Sequence, residues 1–184
     1  MRLIVAITGA SGAIYGVRLL QELKARGVET YLVISEWGRR TIEAETDYDI
    51  EGIIGMAGHY YDSHDFLSPI ASGSTLLDGM VVAPCSMKTL SGIRHGYADN
   101  LVIRAADVSI KERRRLILLV RETPLSPIHL ENMLELSRLG VTIMPPVPSF
   151  YNRPFSLEDV IDQSVFRVLD QLGLDAGQAS RWGE

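Results

Sequence analysis

The sequence predicts an α/β fold: a mostly parallel sheet covered by helices on both faces. Three observations carry this. Strand-like apolar runs alternate with segments of helical spacing along the chain, the central runs "GMVVA" and "LILLV" are apolar at every position, and two strands lead through small polar turns straight into helices. Parallel strands need long crossovers, and strands covered on both faces lose the alternation of polar and apolar residues.

Arg2 to Thr8 is apolar and β-branched, and Ala13 to Lys24 carries Ile14, Val17, Leu19, Leu20 and Leu23 at mainly helical spacing, so strand, turn and helix are expected there. Glu29 to Ser35 reads as a strand, Glu36 to Glu45 as a helix, Gly79 to Ala83 as a strand and Ser86 to Gly96 as a helix. Asp99 to Arg113 follows as helix, Arg115 to Val120 as strand, Ile128 to Leu139 as helix, Thr142 to Met144 as a short strand and Ser156 to Leu172 as the last helix. Gly55 to Asp78 lacks core periodicity and is expected as one long irregular loop, of a length usually tied to function or poor order. In such sheets ligands bind beyond the carboxyl ends of the strands, which here carry Gly9 to Gly12, Ser35, Pro84-Cys85-Ser86, Arg121-Glu122 and Pro145-Pro146.

The 184 residues suit one domain, 1–184, with a full core and no need of disulfides or metal. A net charge of -5, from 18 basic and 23 acidic side chains, gives no electrostatic footprint for nucleic acid or an anionic membrane, so a small ligand is expected. Cys85 is the only cysteine, which excludes an internal disulfide and a multi-cysteine metal site and points to a reducing cytoplasm. No apolar run approaches the roughly 20 residues of a membrane helix.

The turn Gly9-Ala10-Ser11-Gly12 sits where α/β proteins aim backbone N–H groups at a phosphate. It does not fit a dinucleotide fingerprint. The glycines fall at 9, 12 and 16, and the second strand ends in Ser35 where a ribose-binding carboxylate is required, with Glu36 one place late. Neutral donors at Ser11 and Ser35 suit a phosphate or a flavin, and a turn chosen only for packing is the alternative. "APCSMKTL" repeats the arrangement, with Ser86 and Thr89 in a first helical turn; Lys88 reads as a solvated helix residue whose backbone N–H remains available. Cys85 has no histidine beside it in sequence and reads as a small buried thiol.

Asp107 with Lys111, at i,i+4, and Glu112 with Arg115, at i,i+3, are expected as helix-surface pairs, a reading that also takes in Arg113 and Arg114. Arg104 among apolar residues, and Arg121 with Glu122 at a strand end, need partners, and a phosphate would be one. His59, Asp62, His64 and Asp65 match no strong metal spacing and read as a polar loop, while His129 opens a helix as a cap or interface residue.

The segments "TGASGAIYG", "EAETDYD", "ASGS", "APCSMKTLSGI", "DNLVIRAADVSIKERRRLILLVRETPLSPIHLENM" and "FYNRP" together resemble the flavin prenyltransferases, the UbiX-like family once described as aromatic-acid decarboxylases, from about Arg2 to Trp182. The resemblance implies a flavodoxin-like Rossmann fold that binds FMN and attaches a dimethylallyl group from dimethylallyl monophosphate to N5 and C6 of the reduced flavin. It implies no metal, a dodecamer with sites between subunits, and a UbiD-type decarboxylase that receives the prenylated FMN. By the same resemblance Gly9, Ala10, Ser11, Ser35, Ser86, Met87, Lys88, Thr89 and Arg121 are flavin contacts, and Glu45 is a carboxylate near the reacting centre. Arg104, Lys111, Arg121, Glu122, Tyr151 and Arg167 surround the prenyl phosphate, Ser72 or Ser74 reaches in from a neighbouring subunit, and Trp182 lies near the prenyl group. The competing readings are a cysteine decarboxylase of the same architecture, disfavoured because no histidine precedes His59, a non-catalytic FMN-binding module, and a nicotinamide dehydrogenase.

Overall fold

The computed structural model describes residues 1–176. The chain runs β1 (Arg2–Ile7), α1 (Ala13–Ala25), β2 (Glu29–Ile34), α2 (Glu36–Glu45), α3 (Ile50–Ile54), β3 (His59–Asp62), β4 (Gly79–Cys85), α4 (Met87–His95), α5 (Leu101–Lys111), β5 (Arg115–Val120), α6 (Pro127–Arg138), β6 (Thr142–Ile143) and α7 (Leu157–Leu172). All strand pairs are parallel and the spatial order is β3-β2-β1-β4-β5-β6. Without the edge strand β3 the remaining five have the flavodoxin-like order 2-1-3-4-5. The order reverses between β1 and β4, and the crevice at their carboxyl ends is the switch point where ligands bind in such sheets.

The double cover is visible along single strands. Leu3, Val5 and Ile7 of β1 belong to one buried cluster, which holds α1 and α7, while Ile4 and Ala6 belong to the other, which holds α4 and α5. β4 is buried at all seven positions, which is why its sequence shows no alternation.

Six of the seven described helices start with a side chain that accepts a backbone N–H three residues on: Ser35, Asp49, Ser86, Asn100, Ser126 and Ser156. Each such cap contributes about 1 kcal/mol. At α6 the cap is reciprocal, Nδ1 of His129 accepting the Ser126 N–H, so His129 is a cap residue as its position implies. The exception is α1, which begins at Gly12 (φ 99°) with no side-chain cap.

Two expectations are corrected. Gly55 to Asp78 is not one irregular loop: His59–Asp62 pairs with β2 as an edge strand, and Pro69–Ala71 forms a 3-10 turn. The strand was hidden because its outer residues, His59 and Asp62, are exposed and polar, so four residues show no apolar alternation. The helix-surface pairs are also different. α5 ends at Lys111, so Glu112 and Arg115 share no helix; Arg104 pairs with Asp107 at 2.9 Å and Lys111 pairs with Glu112. Arg113 lies in the turn after α5, Arg114 donates to the Gly73 carbonyl at 2.7 Å, and Arg115 starts β5.

Candidate active site

At the carboxyl ends of the strands, the buried Thr8 joins the two polar turns. Its hydroxyl donates to the Pro84 carbonyl (2.7 Å) and accepts the Ser86 N–H (2.9 Å), so the turn after β1 and the start of α4 move as one piece. Gly9 packs directly on α2: a Cβ there would collide with the Trp37 Cβ and lie 3.2 Å from the Trp37 carbonyl carbon. Ala10 is buried, its N–H donating to the Thr8 carbonyl at 3.0 Å, and Ser11 is exposed at the tip. Gly12 has a backbone conformation that side chains resist, and its N–H donates to Glu45 Oε2 at 2.7 Å. Glu45, from the last turn of α2, is thus brought to the glycine turn.

Ser35 and Ser86 cap α2 and α4, accepting the N–H groups of Gly38 (3.0 Å) and Thr89 (3.3 Å); the Ser86 hydroxyl also donates to the Thr89 hydroxyl at 3.1 Å. Between these helix starts and Gly9 lies a cavity of about 370 Å³ whose walls include Ser35, Trp37, Ser63, Ser86 and Thr89. Met87 packs on the core, and Lys88 is mostly exposed with Nζ 3.1 Å from Asp99, a solvated helix residue as expected.

Arg121 and Glu122 follow β5 at the same end, with the Arg121 N–H donating to the Cys85 carbonyl (3.2 Å) and Glu122 Oε1 accepting the Thr123 N–H (3.0 Å). Tyr15, on the first turn of α1, hydrogen-bonds to Ser164 of α7 and lies in the field of Arg121; burial pushes its phenol above the usual value. Cys85 is fully buried and its thiol is pushed strongly up by burial, which leaves it unreactive as a nucleophile. Arg167 pairs with Asp170 (2.8 Å) and borders a separate cavity of about 340 Å³ with Met144, Ser149 and Ser164, beyond β6. Tyr151 lies on a 3-10 turn, Phe150–Asn152, and is 44% exposed.

Of the remaining expected residues, Lys111 and the Ser72–Ser74 segment lie toward the opposite, amino end of the sheet, while Arg104 lies about one turn into α5, whose start is at the carboxyl end. Lys111 closes α5 just before β5 begins. It sits beside the Ser72–Ser74 segment: a Cβ on Gly73 would lie 2.7 Å from Lys111 Nζ and collide with the Glu112 carboxylate. Arg104 Nε donates to the Ala71 carbonyl (3.1 Å), and the Ser72 and Ser74 hydroxyls are 2.9 Å apart. The Lys111 ammonium holds the Glu112 carboxyl below the usual range, chiefly through its hydrogen bond. Six-residue strands separate the two ends by about 20 Å at ~3.3 Å per residue. Ser72, Ser74 and Lys111 are therefore together, and apart from the glycine turn of the same chain, with Arg104 reaching the segment through the Ala71 carbonyl. Trp182 lies outside the described residues.

Trp37, Ser63, His64 and Asn100 line the cavity beside Gly9 and were not singled out by sequence as ligand contacts. Trp37 is 62% exposed, directly after the capped start of α2, with Arg40 stacked 4.9 Å from its ring. Its position two residues after Ser35 was the available signal. His64 and Ser63 reach the cavity only because β3 joins the sheet and the Ser63 carbonyl accepts the Leu101 N–H at 2.7 Å. His59, by contrast, stacks on Tyr31 (4.6 Å between centroids), while the Asp62 and Asp65 carboxylates accept the N–H groups of His64 and Leu67 at 2.9 and 3.1 Å.

Residues 1–164 match the Flavoprotein family. A probable UbiX-like flavin prenyltransferase of Bacillus subtilis is 57% identical over 99% of this chain and 89% of its own length. Among solved structures, AnUbiX (PadA1) in complex with FMN and dimethylallyl pyrophosphate superposes with a TM-score of 0.98, at 51% identity, covering 100% of this chain and 97% of that one. A dodecameric FMN-dependent UbiX-like decarboxylase from Escherichia coli O157:H7 also gives a TM-score of 0.98, at 54% identity with full coverage of both chains. With a glycine turn, two serine-capped helix starts and a carboxylate converging on the sheet's switch point, and these matches spanning nearly all of it, the chain belongs to the flavoprotein family and, within it, to the UbiX-like flavin prenyltransferases.

Proposed function

We propose that the protein transfers a dimethylallyl group from dimethylallyl monophosphate to N5 and C6 of reduced FMN, and that the prenylated flavin passes to a UbiD-type decarboxylase. The observation that carries the reading is the convergence of three helix starts on one crevice, with α1 left without a capping side chain while the other described helices have one. An uncapped helix start beside hydroxyl donors suits a phosphate, and the cavity of about 370 Å³ with the exposed Trp37 in its wall suits a flat aromatic ring system. The residues present therefore fit FMN. Gly9, Ala10, Ser11, Ser35, Ser86 to Thr89 and Arg121 would hold it.

Reduced FMN supplies the electron-rich nitrogen and carbon that accept the prenyl group. The protein's part is electrostatic. Breaking the allylic carbon–oxygen bond leaves negative charge on the departing phosphate, and Arg104, Lys111, Arg121, Arg167, Tyr151 and a serine of the Ser72–Ser74 segment offer cations and hydroxyl donors to hold it. Loss of the proton from C6 needs a base. Glu122 at the end of β5, Glu45 held at the glycine turn, or the departing phosphate can take it. Trp182 is assigned to the allyl cation by the family resemblance.

Since Lys111 and the serines lie about one strand length from the glycine turn of their own chain, they act on the flavin site of a neighbouring copy. A dodecamer like that of the Escherichia coli relative provides such neighbours. Cytoplasmic location follows from the same reading, with the lone Cys85 reduced and no described helix long and apolar enough to cross a membrane.

Anaerobic incubation of the assembled protein with reduced FMN and dimethylallyl monophosphate, followed by mass spectrometry of the released flavin, tests the proposal. A flavin heavier by one prenyl unit is expected. Tight binding of unmodified FMN with either the monophosphate or the diphosphate donor would instead establish a binding module.

A further inference from the structure

We infer that Arg114 is a positioning residue for the prenyl-phosphate half of the site, fixing the Ser72–Ser74 segment against Lys111. The inference rests on the reading above that this segment and Lys111 bind the phosphate. Arg114 Nη2 donates to the Gly73 carbonyl at 2.7 Å, and Arg104 Nε donates to the Ala71 carbonyl at 3.1 Å. The two carbonyls flanking Ser72 are thus each tied by a guanidinium. Ser72 accepts the Ser74 N–H at 3.3 Å, and the two hydroxyls lie 2.9 Å apart, so both donors are presented from one braced turn. Gly73 leaves room for the contact: a Cβ there would lie 2.7 Å from Lys111 Nζ and closer still to the Glu112 carboxylate, so those side-chain ends would have to move.

The turn that delivers Arg114 is the C-terminal cap of α5: Arg113 takes a left-handed conformation (φ 54°), and the N–H groups of Arg113 and Arg114 donate to the Ile110 and Ser109 carbonyls at 3.0 and 2.8 Å. Holding Arg114 against Gly73 carries one local cost, since its Nη1 is buried without a hydrogen-bond partner.

The test is calorimetric binding of dimethylallyl monophosphate to the assembled protein loaded with oxidised FMN, in which no transfer occurs, with FMN affinity measured separately. Arg114→Met is expected to weaken donor binding about tenfold, the order for losing a charge-assisted hydrogen bond that orders a binding loop, with FMN affinity unchanged. Arg114→Lys, which keeps the charge and loses the fork, is expected to recover less than half of that loss on a logarithmic scale. In a Ser72→Ala, Ser74→Ala background Arg114→Met should add less than twofold, because it acts through those serines. A full additive effect there would overturn the inference in favour of charge alone, and a matching fall in FMN affinity would overturn it in favour of general damage. Lys111→Met separates the two levels: if it weakens donor binding while Arg114→Met stays within twofold of the unaltered protein, the positioning role fails alone, and if neither variant weakens binding, the phosphate reading beneath it fails.

Discussion

The two ends of the sheet are built from different materials. At the carboxyl end most of the polar groups are backbone N–H groups and serine and threonine hydroxyls, set by helix starts and by Thr8 bridging two turns, with Glu45, Arg121 and Glu122 beside them. Toward the amino end they are long charged side chains: Lys111 pairs with Glu112 and Arg114 braces a loop through the Gly73 carbonyl, while Arg104, higher on α5, pairs with Asp107 and holds the Ala71 carbonyl. Short dipoles on a rigid frame suit a flat ligand that must sit in one orientation. Flexible cations suit a phosphate that binds, departs and carries most of its charge at its surface. On the proposed reading, the difference teaches that one chain carries two half-sites, neither sufficient by itself.

Mixing variants breaks that comparison most directly and carries the largest expected effect. Lys111→Met, altered only at the amino end, and Glu45→Ala, altered only at the carboxyl end, should each lower prenyl transfer at least about 100-fold, the scale for removing a group that stabilises developing charge. Co-assembled by dissociation and reassociation, the two should regain activity toward about a quarter of the unaltered rate, because some interfaces then join two intact halves. Transfer rates of the mixed and unmixed assemblies check this. If mixing restores nothing, both halves act within one chain.

The same contrast explains what the sequence disclosed. Gly9 to Gly12, Ser35 and Ser86 are local signals, each a turn followed by a helix, and their alternation with apolar strands fixes the sheet, so the carboxyl end was legible. The partnership of Lys111 with Ser72–Ser74 was not, because it joins residues about forty positions apart through a loop with no periodicity. Helical spacing paired Lys111 with Asp107, and only the end of α5 at Lys111 shows why Glu112 takes it instead. Trp37 and His64 went unnoticed as cavity residues for a related reason: each reaches the cavity through an approach of α2 or β3 to the turn that no short pattern encodes.

At the carboxyl end, Gly9→Ala tests whether close backbone approach makes the flavin half-site. The added methyl group must displace α2 at Trp37, and overpacking of this kind costs about 1–3 kcal/mol. FMN affinity, read from flavin fluorescence, should fall about tenfold or more while donor binding at the amino end is unchanged. Loss of both together would show that the ends are mechanically coupled.

A smaller effect separates charge from hydrogen bonding at Glu45. Glu45→Gln keeps an oxygen that can accept the Gly12 N–H, so the turn should hold and FMN affinity should stay within about threefold, whereas Glu45→Ala removes an acceptor worth about 1 kcal/mol. If Glu45→Gln slows transfer as much as Glu45→Ala does, the carboxylate's charge or basicity matters. If it does not, Glu45 serves the turn.

The smallest expected effect concerns Cys85, the one thiol at the carboxyl end. It lies between the Thr8 bridge and α4, close in sequence to Ser86, yet it is fully buried and burial raises its pKa. The native thiol therefore keeps its proton at pH values where the unfolded chain, with a thiol pKa of about 8.5, has begun to lose it. The sign follows: this contribution to stability is complete below about pH 8.5 and declines as the pH rises beyond it. Denaturant midpoints measured from pH 7 to 10 should fall less steeply for Cys85→Ala than for the unaltered protein, while transfer rates at pH 7 stay within about twofold. Alkylation of the native protein at pH 8 should likewise be far slower than in denaturant. Fast native alkylation or a large loss of transfer in Cys85→Ala would place a reactive thiol among the dipoles of this end, and the contrast between short dipoles here and long cations at the other end would have to be redrawn.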